Sequence, residues 1–156
     1  MKTEYTRLQK SLEIVGIILL VLFIGFIAIS WGQLPDKIPG HYNAAGVVDR
    51  WSNKWEILML PVITIILYGG LSLILLYPQI WNVPQTKKES NKYLVYSTLK
   101  TMLILMKVEV TANFFFISYF SVKGMNLPAM YTPIFVVIIF GTLIYYIWKS
   151  YKQAKA

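Results

Sequence analysis

The chain has 156 residues, no cysteine, 56% hydrophobic and 14% charged residues, and a mean hydropathy of +0.55. Soluble domains carry about 25% charged residues, so this balance excludes an ordinary globular protein; it also excludes disorder, which needs the reverse balance. The lack of cysteine excludes disulfides and zinc–thiolate sites, and the length suits one domain over residues 1–156.

Four long apolar runs follow in chain order. The first, Ile14 to Leu34, is uncharged and predicts a helix over about residues 12–33. Lys2, Arg7 and Lys10 precede it like the basic start of a signal peptide. The run exceeds the about 7–15 residues of a signal core, however, and Ala28-Ile29-Ser30 is a poor cleavage site before bulky Trp31, so a retained helix is expected. A polar loop over 34–56 comes next. The second run, Ile57 to Val83, predicts a helix over 57–78, with Pro61 harmless in its first turn and Pro78 ending or kinking it. Gln79 to Pro84 should then lie along the inner interface. The third run, Tyr93 to Val122, predicts a helix over 93–122 that carries Lys100, Lys107 and Glu109. The fourth, Gly124 to Trp148, is uncharged and predicts a helix over 128–149. Gly69-Gly70 and Gly141 are expected at close helix contacts.

About 20 helical residues cross a bilayer, and no strand alternation competes. The fold class is therefore all-α: a polytopic four-helix transmembrane bundle with a structured first loop, and the lipid bilayer as its first partner. Nine basic residues (Lys2, Arg7, Lys10, Lys87, Lys88, Lys92, Lys149, Lys152, Lys155) fall on the side of the termini. Lys37, Arg50, Lys54 and Lys123 fall on the other, which puts both termini in the cytoplasm. Trp31, Trp51, Trp55 and Tyr131 mark the outer interface, and Trp81, Tyr93, Tyr145, Tyr146 and Trp148 the inner one. The excess charge of +8 is thus spread over three short segments rather than gathered on one face, which argues against direct nucleic-acid binding.

The loop QLPDKIPGHYNAAGVVDRWSNKWE, from Gln33 to Glu56, is long for a helix connection, and such loops are usually functional or disordered. It is not composed like a linker: Pro35 and Pro39 stiffen its entry, Asn43 and Gly46 form turns, and Trp51 and Trp55 seat its exit. The pattern L-P-x-x-I-P-x-H-Y-N-x-x-G-x-x-D-x-x-x-x-K is carried by Leu34, Pro35, Ile38, Pro39, His41, Tyr42, Asn43, Gly46, Asp49 and Lys54, with Pro61 following in the next apolar run. It resembles the signature of a bacterial membrane family of unknown function that also opens the SdpI-type immunity proteins. The resemblance covers about the first half of the chain. It implies a multi-pass protein of the bacterial inner membrane, of which some relatives protect a cell from a secreted toxic peptide and others relay its presence to a membrane-sequestered cytoplasmic repressor. The immunity proteins are longer, with a second signature region and further helices not found here.

Two readings of the loop stay open. In one, His41, Asn43 and Asp49 offer polar groups to a ligand inside a Trp rim, and His41, with a reference pKa of about 6.5, makes binding pH-sensitive. In the other, Asp49 pairs with Lys54, Asn43 and His41 satisfy backbone groups, and the loop caps the bundle. One histidine without cysteine falls short of a zinc site, and Asp36, Asn43 and Asp49 are too few for calcium, so neither metal nor cofactor is expected.

Lys100 and Lys107 are seven residues apart and share a helix face, whereas Glu109 lies about 200° round from Lys107. An ionisable group at the bilayer centre costs at least about 2.5–3.5 kcal/mol, so each should face protein or water. One reading pairs Lys100 with Glu13 and turns Glu109 toward the loop; the other makes the three a functional site. Function then divides between an immunity or sensor-type binding module and a small transporter or proton-coupled channel built on Lys100, Lys107 and Glu109. Four helices leave little room for a transport path unless the protein is an oligomer. An intramembrane enzyme is not expected, for want of HExxH, GxSxG or paired aspartates.

Overall fold

The computed structural model describes residues 4–156, so Lys2 lies outside the described residues. Four helices are long and apolar enough to cross a membrane: α1 (Arg7–Ser30), α2 (Met59–Leu76), α3 (Glu89–Val122) and α4 (Tyr131–Lys155). The chain is a multi-pass membrane bundle. Among the described residues, α1 starts and α4 ends at the same end of the bundle, where Gln9 meets Ser97 and Gln153 meets Thr98.

Local signals set the helix limits. A capping box starts α1 ahead of residue 12: the Thr6 hydroxyl accepts from Gln9 N–H (3.2 Å) and Gln9 Oε1 accepts from Thr6 N–H (3.1 Å). Pro61 is the third residue of α2, where its missing N–H is harmless, and α2 ends just before Tyr77-Pro78. A Schellman turn closes α3. Gly124 takes φ +65°, its N–H donates to Ser121 C=O (3.1 Å), and Met125 N–H donates to Phe120 C=O (3.0 Å). At 34 residues α3 is longer than the about 20 that a crossing requires, and α4 likewise runs past residue 149 to Lys155.

Helix α3 is the hub, packed against α1, α2 and α4. One apolar cluster lies near the first loop: Phe23, Ile27, Leu34, Ile38 and Ile57 are buried, with Phe115 stacked 5.4 Å from Phe23. A second lies near the termini, where Trp81 and Val83 fold back over Val95, Leu99 and Ala154, and Trp81 Nε1–H donates to Ile74 C=O (2.7 Å). Many other large apolar side chains point outward, among them Ile29, Ile66 and Val137. Lipid is the medium that makes such a surface stable.

Two expectations change. Gly69, Gly70 and Gly141 have open space where a Cβ would sit; among the helical glycines it is Gly16 that packs closely, its added Cβ lying 2.9 Å from the Tyr68 hydroxyl. Helix α2 packs through Thr64, Tyr68, Ser72 and Leu75, a stripe with helical spacing, and Gly69 and Gly70 lie off it. The first loop, for its part, contains strands. β1 (Lys37–Tyr42) and β2 (Val48–Asn53) form an antiparallel hairpin, with Lys37 opposite Asn53 and Tyr42 opposite Val48. Pro39 and the register shifts on either side of His41 break the two-residue alternation that announces a strand in a sequence.

Candidate functional site

The hairpin is built at its tip and clasped from the side. Asn43 Oδ1 accepts from the N–H groups of Ala45 and Val47 (both 3.0 Å), and Gly46 turns the chain at φ +81°. Gly46 C=O then accepts from Leu127 N–H (2.8 Å), Asn126 Oδ1 accepts from Val48 N–H (2.8 Å), and Tyr42 O–H donates to Met125 C=O (3.1 Å). Ser121, near the end of α3, donates to Pro39 C=O (2.6 Å). The connection between α3 and α4 therefore holds the hairpin down on the bundle. Burial pushes the Tyr42 phenol up to about 12, so its hydrogen stays available to Met125 well into the alkaline range.

Asp49 does not pair with Lys54. Its carboxylate lies 2.6 Å from His41 Nδ1; Arg50 is the residue opposite His41, and Asp49 falls in the register shift between the His41–Arg50 and Tyr42–Val48 pairs. Lys54, beyond the end of β2, lies 3.9 Å from Asp36 and over the Trp31 ring at 5.9 Å. Both members of the His41–Asp49 pair are well exposed, so His41→Ala should cost no more than about 1 kcal/mol in thermal unfolding of the purified protein. A loss of several kcal/mol would give the pair a structural weight that its exposure does not support.

Between β1 and the hairpin-side ends of α2, α3 and α4 lies a cleft of about 380 Å³. Ile57, Leu60, Ile63, Ile117 and Leu127 give it apolar walls, and His41, Arg50, Glu56 and Thr132 supply polar groups. The Arg50 guanidinium donates to Glu56 (3.2 Å to Oε2) and to Gly40 C=O (3.2 Å). Gly40 is required here, because an added Cβ would collide with the Ser52 side chain and lie 3.3 Å from a Glu56 oxygen. Of the motif residues, Ile38, Pro39, His41 and Tyr42 line the cleft, and His41 is the one among the polar candidates His41, Asn43, Asp49 and Lys54 that does. Asn43 and Gly46 build the turn, Asp49 holds His41, and Lys54 stands against Trp31. Glu56, Ser121, Asn126 and Leu127 were not anticipated, since their roles depend on distant segments meeting.

The intramembrane charges also find partners other than those expected. Glu13 pairs with Lys107 rather than Lys100: Lys107 Nζ lies 2.7 Å from each carboxylate oxygen and 3.1 Å from Ser72 Oγ, which occupies all three of its donors. The Tyr68 ring lies 4.6 Å from the ammonium, and its hydroxyl donates to Glu13 (3.4 Å). Lys100 sits 4.3 Å from the Tyr5 ring. The reason is registry. Helix α3 starts early enough that Lys100 is level with Tyr5, and two turns further on Lys107 is level with Glu13. Glu109 does not turn toward the hairpin; it accepts from Thr142 on α4 (2.5 Å). The three charges therefore face three different partners. Gln9 ties the same helices together, its amide donating to Ser97 C=O and Thr101 Oγ1 (both 2.9 Å).

Residues 17–65 match the model of a domain of unknown function, DUF1648, a stretch that takes in most of α1, the hairpin and the first turns of α2. Over 169 residues the chain is 26% identical to an uncharacterized protein of Archaeoglobus fulgidus, covering 96% of this chain and 92% of the relative. No solved structure matches it. The chain is thus similar, through the segment that forms the hairpin and two walls of the cleft, to a family of unknown function.

Proposed function

We propose that the protein is an immunity- or sensor-type binding module of the bacterial cell membrane, with the hairpin outside and both termini in the cytoplasm. Its ligand is a secreted toxic peptide or another envelope component, and the cytoplasmic lysines offer a surface to a partner such as a repressor. The observation that carries this reading is the cleft, whose apolar walls and few polar groups match the composition of small-ligand sites. The hairpin is tied to α3 and to the α3–α4 connection, so an occupant of the cleft touches segments that continue to the cytoplasmic side.

The test uses cells challenged with candidate toxic peptides while expressing wild type, Ile63→Trp or Glu56→Gln at equal membrane levels. Ile63 is partly exposed and lines the cleft, so the larger ring fills the space without entering the core. Protection by wild type that is lost in Ile63→Trp is the expected result. Full protection by both variants would reduce the hairpin to a cap over the bundle.

One observation favours transport as a second reading: Glu109 Oε2 is buried without a hydrogen-bond partner among the described residues. A small transporter or proton-coupled channel on Lys100, Lys107 and Glu109 would show proton flux in liposomes that Glu109→Gln abolishes. Absence of flux from wild type would remove this reading.

A further inference from the structure

We infer that the cleft opens sideways into the lipid leaflet on the hairpin side, and that it takes one acyl chain of a phospholipid whose head carries a phosphate and a primary amine. This rests on the cleft being the ligand site, and it names the ligand.

The walls give the direction of entry. Leu60 and Ile63 come from α2 and Thr132 from α4, while Ile117 of α3, the helix on which both pack, forms the back. Met59 and Ile63 line the cleft and are also exposed on a membrane-spanning helix, so they meet lipid tails rather than water. A ligand arriving from water would meet an apolar mouth, whereas one already in the leaflet enters tail first. At about 380 Å³ the cleft lies at the small end of the about 300–1,000 Å³ of ligand pockets, suited to one tail rather than a diacyl body.

The rim gives the head group. Trp51 and Trp55, both exposed and next in sequence to the cleft residues Arg50 and Glu56, belong at head-group depth. At that level Arg50 and Glu56 stand side by side, 3.2 Å apart and partly exposed, so their mutual pairing is exchangeable. A guanidinium takes a phosphate through two parallel hydrogen bonds, and a carboxylate accepts from a primary ammonium. A head with both charges replaces one ion pair by two and leaves neither residue unmatched. A purely anionic head would leave Glu56 facing a phosphate, and a quaternary ammonium has no N–H to donate.

The experiment places the full-length protein in nanodiscs of phosphatidylcholine, with a small fraction of phosphatidylethanolamine carrying a photoactivatable group near the end of one acyl chain. Labelled peptides are mapped by mass spectrometry. Segments 57–63 and 117–132 should be labelled several-fold more than the lipid-facing stretch 136–144 of α4. Unlabelled phosphatidylethanolamine should suppress that excess at about tenfold lower mole fraction than phosphatidylglycerol or phosphatidylcholine. Ile63→Trp should abolish the excess, and Glu56→Gln should keep it while erasing the head-group preference. Equal labelling of the cleft and of 136–144, or equal competition by the three lipids, would overturn the inference. If wild type shows no excess labelling but Ile63→Trp loses protection against a peptide, lipid occupancy fails while the cleft stands as the ligand site. Excess labelling without any peptide protection fails the immunity reading and leaves the lipid site in place.

Discussion

Lys107→Leu should lower the stability of the purified protein by about 3–5 kcal/mol, the loss typical of breaking a buried ion pair from one side. The Lys107 side chain is 2% exposed, and all three of its donors are engaged by Glu13 and Ser72. Without the ammonium, the Glu13 carboxylate keeps only the long hydrogen bond from Tyr68 in a medium where water cannot replace the loss. Glu13→Leu should be comparably damaging, because it leaves the ammonium on one hydroxyl. The double variant Glu13→Leu/Lys107→Met should recover most of the loss, since apolar side chains of similar volume often replace a buried pair without penalty. Ser72→Ala removes one neutral acceptor and should cost only about 1 kcal/mol. Thermal unfolding in detergent measures all four, and equal stability of both single variants to wild type would refute the buried pair. If the double variant is stable but inactive in cells, the pair serves function rather than folding.

The second large effect is expected at the hairpin tip. Gly46→Val places a β-branched residue at φ +81°, where a left-handed backbone costs about 1–2 kcal/mol for any side chain. The added Cβ would also lie 2.6 Å from the Leu127 carbonyl oxygen, and that contact is backbone that cannot simply rotate away. The hairpin must lift from the α3–α4 connection, breaking the bonds from Leu127 N–H to Gly46 and from Val48 N–H to Asn126. Amide hydrogen exchange over 37–53 should accelerate at least tenfold, while α1 and α2 keep their protection. Unchanged exchange in the hairpin would mean that the clasp does not hold it.

The four spans were legible because membrane helices announce themselves by length and apolarity, and Pro61 and Pro78 bracket α2 as their chemistry requires. The start of α1 was legible in principle, since Thr6 and Gln9 have capping-box spacing, but the apolar run begins later and drew attention away from it. The hairpin was not legible. Its strands are six residues each, and Pro39 and the register shifts around His41 interrupt their alternation, so its stability comes from Ser121, Asn126 and Leu127 rather than from its own pattern. Partner choice was lost for a similar reason. Asp49 is five residues from Lys54 and eight from His41, yet folding of the hairpin brings it to the more distant His41. Glu13 could be matched to either lysine until the early start of α3 set the level of each. Residue types told which groups needed a partner, and tertiary registry told which partner they found.

The reading of the cleft as a receptor on the outside of the cell depends on which way the bundle faces. Ala45, at the hairpin tip, and Ser90, at the start of α3, are both exposed and lie on opposite faces of the bundle. The chain has no native cysteine to compete, so a single cysteine placed at either position reports on its own side. In intact cells a membrane-impermeant thiol reagent should label Ala45→Cys, and should label Ser90→Cys only after the membrane is opened. Labelling of Ser90→Cys in intact cells with Ala45→Cys protected would place the hairpin and its cleft in the cytoplasm, and would contradict the proposed function at its base.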